Sequence, residues 1–83
     1  MYLGVKLVEY FNDYKVLITF ENDEKRLFDV SQYLNKGNFK ELKNLTLFKS
    51  VHVAFDTIEW GNGVDLDPEL LYQDSIAYDS SNT

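Results

Sequence analysis

The stretch from Ile58 to Tyr72 decides how this chain folds, and it reads IEWGNGVDLDPELLY. Its first residues are typical of a strand end, and the two glycines around Asn62 permit a sharp reversal. Asp67 is a good helix N-cap, and Pro68 follows at the first helical position, where a missing N–H costs nothing. The stretch therefore predicts a strand, a tight loop and the start of a helix.

Trp60 is the only tryptophan of the chain and the largest side chain of this stretch. A tryptophan at a strand end more often closes a small core than stacks on a ligand. We therefore expect Trp60 to be buried against Phe20, Phe28 or Phe55. Trp60, Asp67 and Pro68 are assigned structural roles.

The segments on either side of this stretch extend the prediction. Upstream, Val51, Val53 and Phe55 alternate as in a strand, and Asp56-Thr57 is interpreted as the turn that leads to Ile58. Downstream, the polar composition of residues 74–83 predicts a flexible acidic tail.

The first half of the chain has the same strand-and-turn character. Residues 2–10 alternate imperfectly, which indicates a bulge or a switch of buried face. Two clear alternations follow, joined by a turn at Asn22-Asp23, and their members are Tyr14, Val16, Ile18 and Phe20, then Arg26, Phe28 and Val30. We predict a single α+β domain over residues 1–83. It has a bent antiparallel sheet of about five strands, with short helices, in the order β-β-β-α-β-β-α.

Composition excludes several classes of protein. The 83 residues contain no cysteine, so disulfides and thiolate metal sites are absent, which fits a cytoplasmic protein. The sequence has no run of about 18 apolar residues, which a membrane-spanning helix would need. The net charge of −6 disfavours nucleic acid as a partner.

Several of these patterns together resemble a known family. The matching pieces are Tyr14-x-Val16-x-Ile18-x-Phe20, Phe28-Asp29-Val30, Leu42 and Phe48, Ile58-Glu59-Trp60, and Asp65 to Tyr72. They resemble a bacterial family of domains of unknown function, number 2442. The turns at Asn22-Asp23 and Asp56-Thr57 depart from the family, where Asn-Gly-like or Asp-Gly-like pairs are common.

The resemblance implies a small α+β domain with an antiparallel sheet and with no established biochemical activity. Some relatives look like half of a two-gene layout similar to toxin–antitoxin pairs, and others carry a helix-turn-helix. We expect the single predicted domain to leave no room within these 83 residues for a second, DNA-binding domain.

No catalytic set can be assembled from the sequence. His52 is the only histidine, and no serine stands in a nucleophile-elbow context. Asp65, Asp67 and Glu69 alternate like calcium ligands, but the other positions of a calcium loop are missing. We therefore predict a non-enzymatic protein with no metal and no cofactor.

The charge distribution points to a function in protein binding. From Val51 to Thr83 there are seven acids and no lysine or arginine. We interpret this block as a surface for a basic protein partner, in a regulatory, antitoxin-like role, and its candidate residues are Glu59, Asp65, Glu69 and Asp74. A small-ligand or metal-binding domain centred on residues 60–69 is the alternative. Self-association through the first strand stays open as well.

Overall fold

The computed structural model describes residues 3–78 as an α+β fold with antiparallel sheets. The strands are β1 Val5–Tyr10, β2 Lys15–Phe20, β3 Lys25–Asp29, β4 His52–Ala54, β5 Thr57–Glu59, β6 Asp65–Leu66 and β7 Ile76–Ala77. The α-helices are α1 Leu45–Phe48 and α2 Pro68–Asp74, and 3-10 helices cover Ser31–Tyr33 and Gly37–Lys43.

The strands form two sheets. In the larger sheet the order is β1-β2-β3-β7, and in the smaller one it is β4-β5-β6. The predicted α+β class is confirmed, whereas the strand count is higher than the expected five because β6 and β7 are two-residue strands without an alternation of their own. The register shift between Val5 and Leu7 supplies the bulge that the imperfect pattern of the first strand predicts.

The hairpin turns have defined geometries. Between β2 and β3 the Asp23 N–H donates to the Phe20 carbonyl at 2.8 Å, and Asp23 itself has φ +68°, as in a three-residue loop that ends in a left-handed residue. Between β4 and β5 the turn is centred on Phe55 and Asp56, both with positive φ, as a type I′ turn requires.

The predicted turn at Asp56-Thr57 is therefore wrong by one residue. Thr57 is β-branched and would resist positive φ, and it is the first residue of β5 instead. Its buried hydroxyl donates to the Leu66 carbonyl, which ties β5 to the residue before the Asp67 cap.

The core lies between the larger sheet, the smaller sheet and the helices. Trp60 is 1% exposed, and its indole N–H donates to the Phe48 carbonyl at 3.0 Å. Its ring centroid lies 5.8 Å from that of Phe48, and Phe20 and Phe28 belong to the same buried cluster. Burial of Trp60 is confirmed, but Phe55 is not its partner.

The segment after α2 contacts β3. Asp74 ends α2, Ser75 is buried, and Ile76–Ala77 pair with Arg26 and Leu27 of β3. The Arg26 guanidinium fixes this segment, because Nε donates to the Ser75 hydroxyl at 2.8 Å and Nη2 to its carbonyl at 2.7 Å. The flexible acidic tail predicted for residues 74–83 stays a prediction, and residues 79–83 lie outside the described part.

Across residues 3–78, no helix is long and apolar enough to cross a lipid bilayer.

Candidate functional site: an acidic groove beside Phe55

A shallow groove opens where the β4–β5 turn, β6 and the start of α2 come together. It has a volume of about 490 Å³ and is lined by Phe55, Thr57, Asp65, Leu66, Asp67, Pro68 and Glu69. Three of these residues are acidic, and among the described residues no lysine or arginine lines it. We refer to it below as the acidic groove.

Local sequence explains the shape of the acidic groove. Asp67 is the N-cap of α2, since its carboxylate accepts from the Glu69 N–H at 2.8 Å, and Pro68 stands in the first turn of the helix. These are the positions that the sequence predicts for both residues. The cap turns the chain directly after β6, so Asp65 and Glu69 project from either side of the cap toward the same groove.

Phe55 is the unusual member of the acidic groove. Its side chain is 93% exposed, and its φ is +52°. Left-handed backbone is disfavoured for a bulky residue, and a fully exposed ring returns no burial energy to offset that cost. The alternation of Val51, Val53 and Phe55 predicts an inward ring, which is wrong because the turn replaces the strand at this position.

The acids of β5 and β6 stand close together. Glu59 and Asp65 are directly opposite each other in the register of the smaller sheet. Like charges at such positions repel and weaken a sheet. On its other side Glu59 contacts His52 of β4, whose Nε2 lies 3.3 Å from the Glu59 carboxylate.

The pKa of His52 is raised from its ordinary value of 6.5. The main cause is the hydrogen bond between Nδ1 and the Ser50 carbonyl, at 3.0 Å, and the Glu59 carboxylate adds to it. Because Glu59 already has this partner, Asp65 and Glu69 are the acids of the surface that are better placed for an external cation.

Asp74 is separate from the acidic groove. It lies at the opposite end of α2, where its carboxylate interacts with Tyr33. Burial is the main cause that raises the pKa of the Tyr33 hydroxyl, and the Asp74 carboxylate adds to it. Of the four predicted surface residues, the structure brings Glu59, Asp65 and Glu69 to one side of the molecule and places Asp74 elsewhere.

The alternation of Asp65, Asp67 and Glu69 does not produce a metal cluster. Within residues 3–78, no three histidine, aspartate or glutamate side chains come close enough together to hold an ion. The carboxylate of Asp67 is also engaged in capping α2.

A second cleft, of about 600 Å³, lies beside the loop between β5 and β6. It separates the turn of Gly37 and Asn38 from Asn62 and Gly63, and Asp65 borders it. The Asn62 amide donates to the Glu41 carboxylate at 2.9 Å, and both residues line the cleft. Five of its nine lining residues carry polar or charged side chains, and the cleft is open to solvent.

The comparisons with known proteins place this fold in a family. A sequence model described as "Protein of unknown function (DUF2442)" matches residues 5–77. The chain belongs to the DUF2442 family. The match runs from the start of β1 to the end of β7, so the acidic groove is part of the DUF2442 domain itself. Comparison with curated proteins and with solved structures finds no match.

Sequence reasoning identified the acids of the acidic groove and missed Phe55. The signal that could have located Phe55 is Asp56 followed by Thr57, because aspartate tolerates positive φ and threonine does not. That pair places the turn centre at Asp56 or before it, which puts Phe55 at the tip.

Proposed function

We propose that this DUF2442 domain is a non-enzymatic binding module that holds a basic protein against the acidic groove. The observation that carries the proposal is Phe55, a bulky ring 93% exposed at the rim of a groove lined by Asp65 and Glu69. Aromatic residues surrounded by polar groups are the usual anchors of protein interfaces. A regulatory, antitoxin-like action, in which the domain covers a basic surface of its partner, is the specific form that we favour.

The electrostatics of the smaller sheet support a basic partner. The repulsion between Glu59 and Asp65 is relieved when a cation approaches them. Binding of a basic partner therefore removes an interaction that destabilises the isolated domain. No lysine or arginine occurs after Lys49 to neutralise this side. A cytoplasmic location, which a chain without cysteine fits, is part of the proposal.

The test is affinity capture from the native host with the wild-type chain and with a groove variant, Asp65→Lys with Glu69→Lys. We expect the wild type to retain a basic protein and the groove variant to lose it. Association should be fast and should weaken with salt, since the Debye length is only about 8 Å at physiological ionic strength.

A control variant, Glu9→Lys with Asp74→Lys, makes the same change of net charge on exposed residues outside the acidic groove. It should keep the partner that the groove variant loses. Circular dichroism must show that both variants fold. Retention of every partner by the folded groove variant, or equal loss by both variants, would contradict the proposal.

The second cleft supports a different candidate function, the binding of a small polar ligand. Its volume of about 600 Å³ is in the range of ligand pockets. Gly37 and Gly63, both with positive φ, border it with open space where a side chain would begin. A saturable rise in melting temperature with one small compound, lost in Asn38→Ala, would favour this function. We expect millimolar calcium or magnesium to give no such shift.

A further inference from the structure

We propose that the acidic groove selects arginine over lysine, with the guanidinium of the partner stacked on the Phe55 ring and paired with a carboxylate of the groove. This inference rests on the proposed function, because it specifies which cation the basic partner presents. It follows from the chemistry of an exposed ring beside carboxylates and from an arrangement that the same molecule already contains.

The Phe55 ring offers an open aromatic face. Phe55 is 93% exposed at the tip of the turn, so its ring is accessible to solvent. A guanidinium is planar and weakly hydrated, so it stacks on such a face more readily than the compact, strongly hydrated ammonium of lysine. An aromatic face therefore discriminates between cations that carboxylates alone attract almost equally.

The acidic groove also supplies the carboxylates. Within residues 3–78, the side chains of Asp65 and Glu69 have no hydrogen-bond or salt-bridge partner, whereas Asp67 caps α2 and Glu59 faces His52. These carboxylates can accept hydrogen bonds from a guanidinium or from an ammonium, so they supply the attraction and the ring supplies the discrimination.

An arginine is already held this way between β3 and α2. The Arg26 guanidinium carbon lies 4.4 Å from the centroid of the Tyr72 ring, and Nη1 donates to the Glu24 carboxylate at 2.7 Å. The hydroxyl of Tyr72 donates to the same carboxylate, also at 2.7 Å. Ring, carboxylate and guanidinium form one unit there, and the acidic groove presents the first two of these three groups to solvent.

The lysines of the molecule approach rings differently. Lys36 Nζ lies 5.5 Å from the centroid of Tyr33, and Lys49 Nζ lies 5.2 Å from that of Tyr10. Neither lysine has a salt bridge among the described residues. The Arg26 guanidinium therefore lies closer to a ring than either ammonium group does. It also has a carboxylate partner, which neither lysine has among the described residues.

The experiment is an NMR titration of the ¹⁵N-labelled chain with two synthetic peptides. The peptides are identical except that one has arginine and the other lysine at every charged position. We expect both to shift the amide signals of Phe55, Asp65 and Glu69. We expect the arginine peptide to bind about two- to fivefold more tightly, as a cation–π contact at an exposed site implies.

Three variants and one control separate the contribution of the ring to binding from that of the acidic charge. Phe55→Asn, which suits the left-handed turn, should bind both peptides equally, and Phe55→Tyr should keep the preference for arginine. Asp65→Asn with Glu69→Gln should weaken both peptides. Leu7→Asn, at another exposed apolar side chain outside the acidic groove, should change nothing.

Equal binding of the two peptides by the wild type would overturn the arginine inference and leave the basic-partner proposal standing. A preference for arginine that persists in Phe55→Asn would also overturn it. Absence of shifts with either peptide would contradict both this inference and the proposed function. The capture experiment described above tests the proposed function independently.

Discussion

Two turns of this domain place an aromatic residue in left-handed backbone, but one ring is packed against the core and the other is exposed. Asp13 and Tyr14, with φ of +48° and +63°, connect β1 to β2, and Phe55 and Asp56, with φ of +52° and +65°, connect β4 to β5. Tyr14 packs edge-on against Phe48 with the ring centroids 5.1 Å apart, and its hydroxyl donates to the Lys43 carbonyl. Phe55 is almost fully exposed.

The difference separates an aromatic residue that the fold explains from one that the fold does not explain. At Tyr14, core packing and a hydrogen bond offset the cost of the backbone conformation. At Phe55 the described residues provide no comparable burial, so folding alone does not explain why a phenylalanine stands there. The proposed binding of a basic partner would give this ring a use outside the fold.

The largest expected loss of stability is at Trp60, and it gives the scale against which the two turns are compared. Trp60→Ala removes a fully buried ring and its bond to the Phe48 carbonyl, so we expect a loss of about 3–5 kcal/mol, enough to unfold much of so small a domain. Urea unfolding measures the loss. Native tryptophan fluorescence that is solvent-like and readily quenched by iodide would show that the ring is not buried.

The next effect tests the first turn. Tyr14→Asn keeps a residue that tolerates positive φ but removes the ring from Phe48 and the bond to Lys43, so we expect a loss of about 2–3 kcal/mol. Tyr14→Phe serves as the control, because it loses only the hydroxyl. An unfolding free energy unchanged in Tyr14→Asn would mean that the two turns are alike after all.

The matched change in the second turn should have the opposite sign. Phe55→Asn removes no packing and places a favourable residue in left-handed backbone, so we expect the domain to gain about 1 kcal/mol. The same variant should lose preference for the arginine peptide, a trade of function for stability. Destabilisation of the folded domain by Phe55→Asn would indicate that the ring contributes to the fold.

The smallest expected effect is on the pH dependence of stability, and it comes from His52 of β4, the strand before the second turn. The raised pKa of His52 means that its stabilising contribution is fully present below 6.5 and is lost as the pH rises through the folded-state value. His52→Gln should therefore flatten this part of the profile of melting temperature against pH. Glu59→Gln should keep most of the dependence, because the Ser50 carbonyl is the main cause of the shift.

The parts of the fold that were predictable are those encoded by neighbouring residues. The Asp67 cap, the Pro68 start of α2 and the alternation from Tyr14 to Phe20 each depend on positions only a few residues apart. The helix after Asp67 and the hairpin of β2 and β3 follow from such patterns directly.

The parts that were missed depend on distant contacts. β7 exists because Ile76 and Ala77 meet β3, and a two-residue strand has no period to detect. Asp74 was grouped with Asp65 by charge alone, whereas the direction of α2 carries it away from the acidic groove. For Phe55, an apolar alternation runs unchanged into a turn, so the pattern cannot show where the strand stops.

The pairing of β3 with β7 has a consequence for synthesis on the ribosome. β1, β2 and β3 emerge early, but the segment that covers the free side of β3 comes much later, with Ser75 standing 49 residues after Arg26. Until then β3 has an unpaired edge, and the Arg26 guanidinium lacks its final partners. Such an edge can pair with another nascent chain, so premature termination before Ile76 should yield an aggregating product even though most of the core residues have been made.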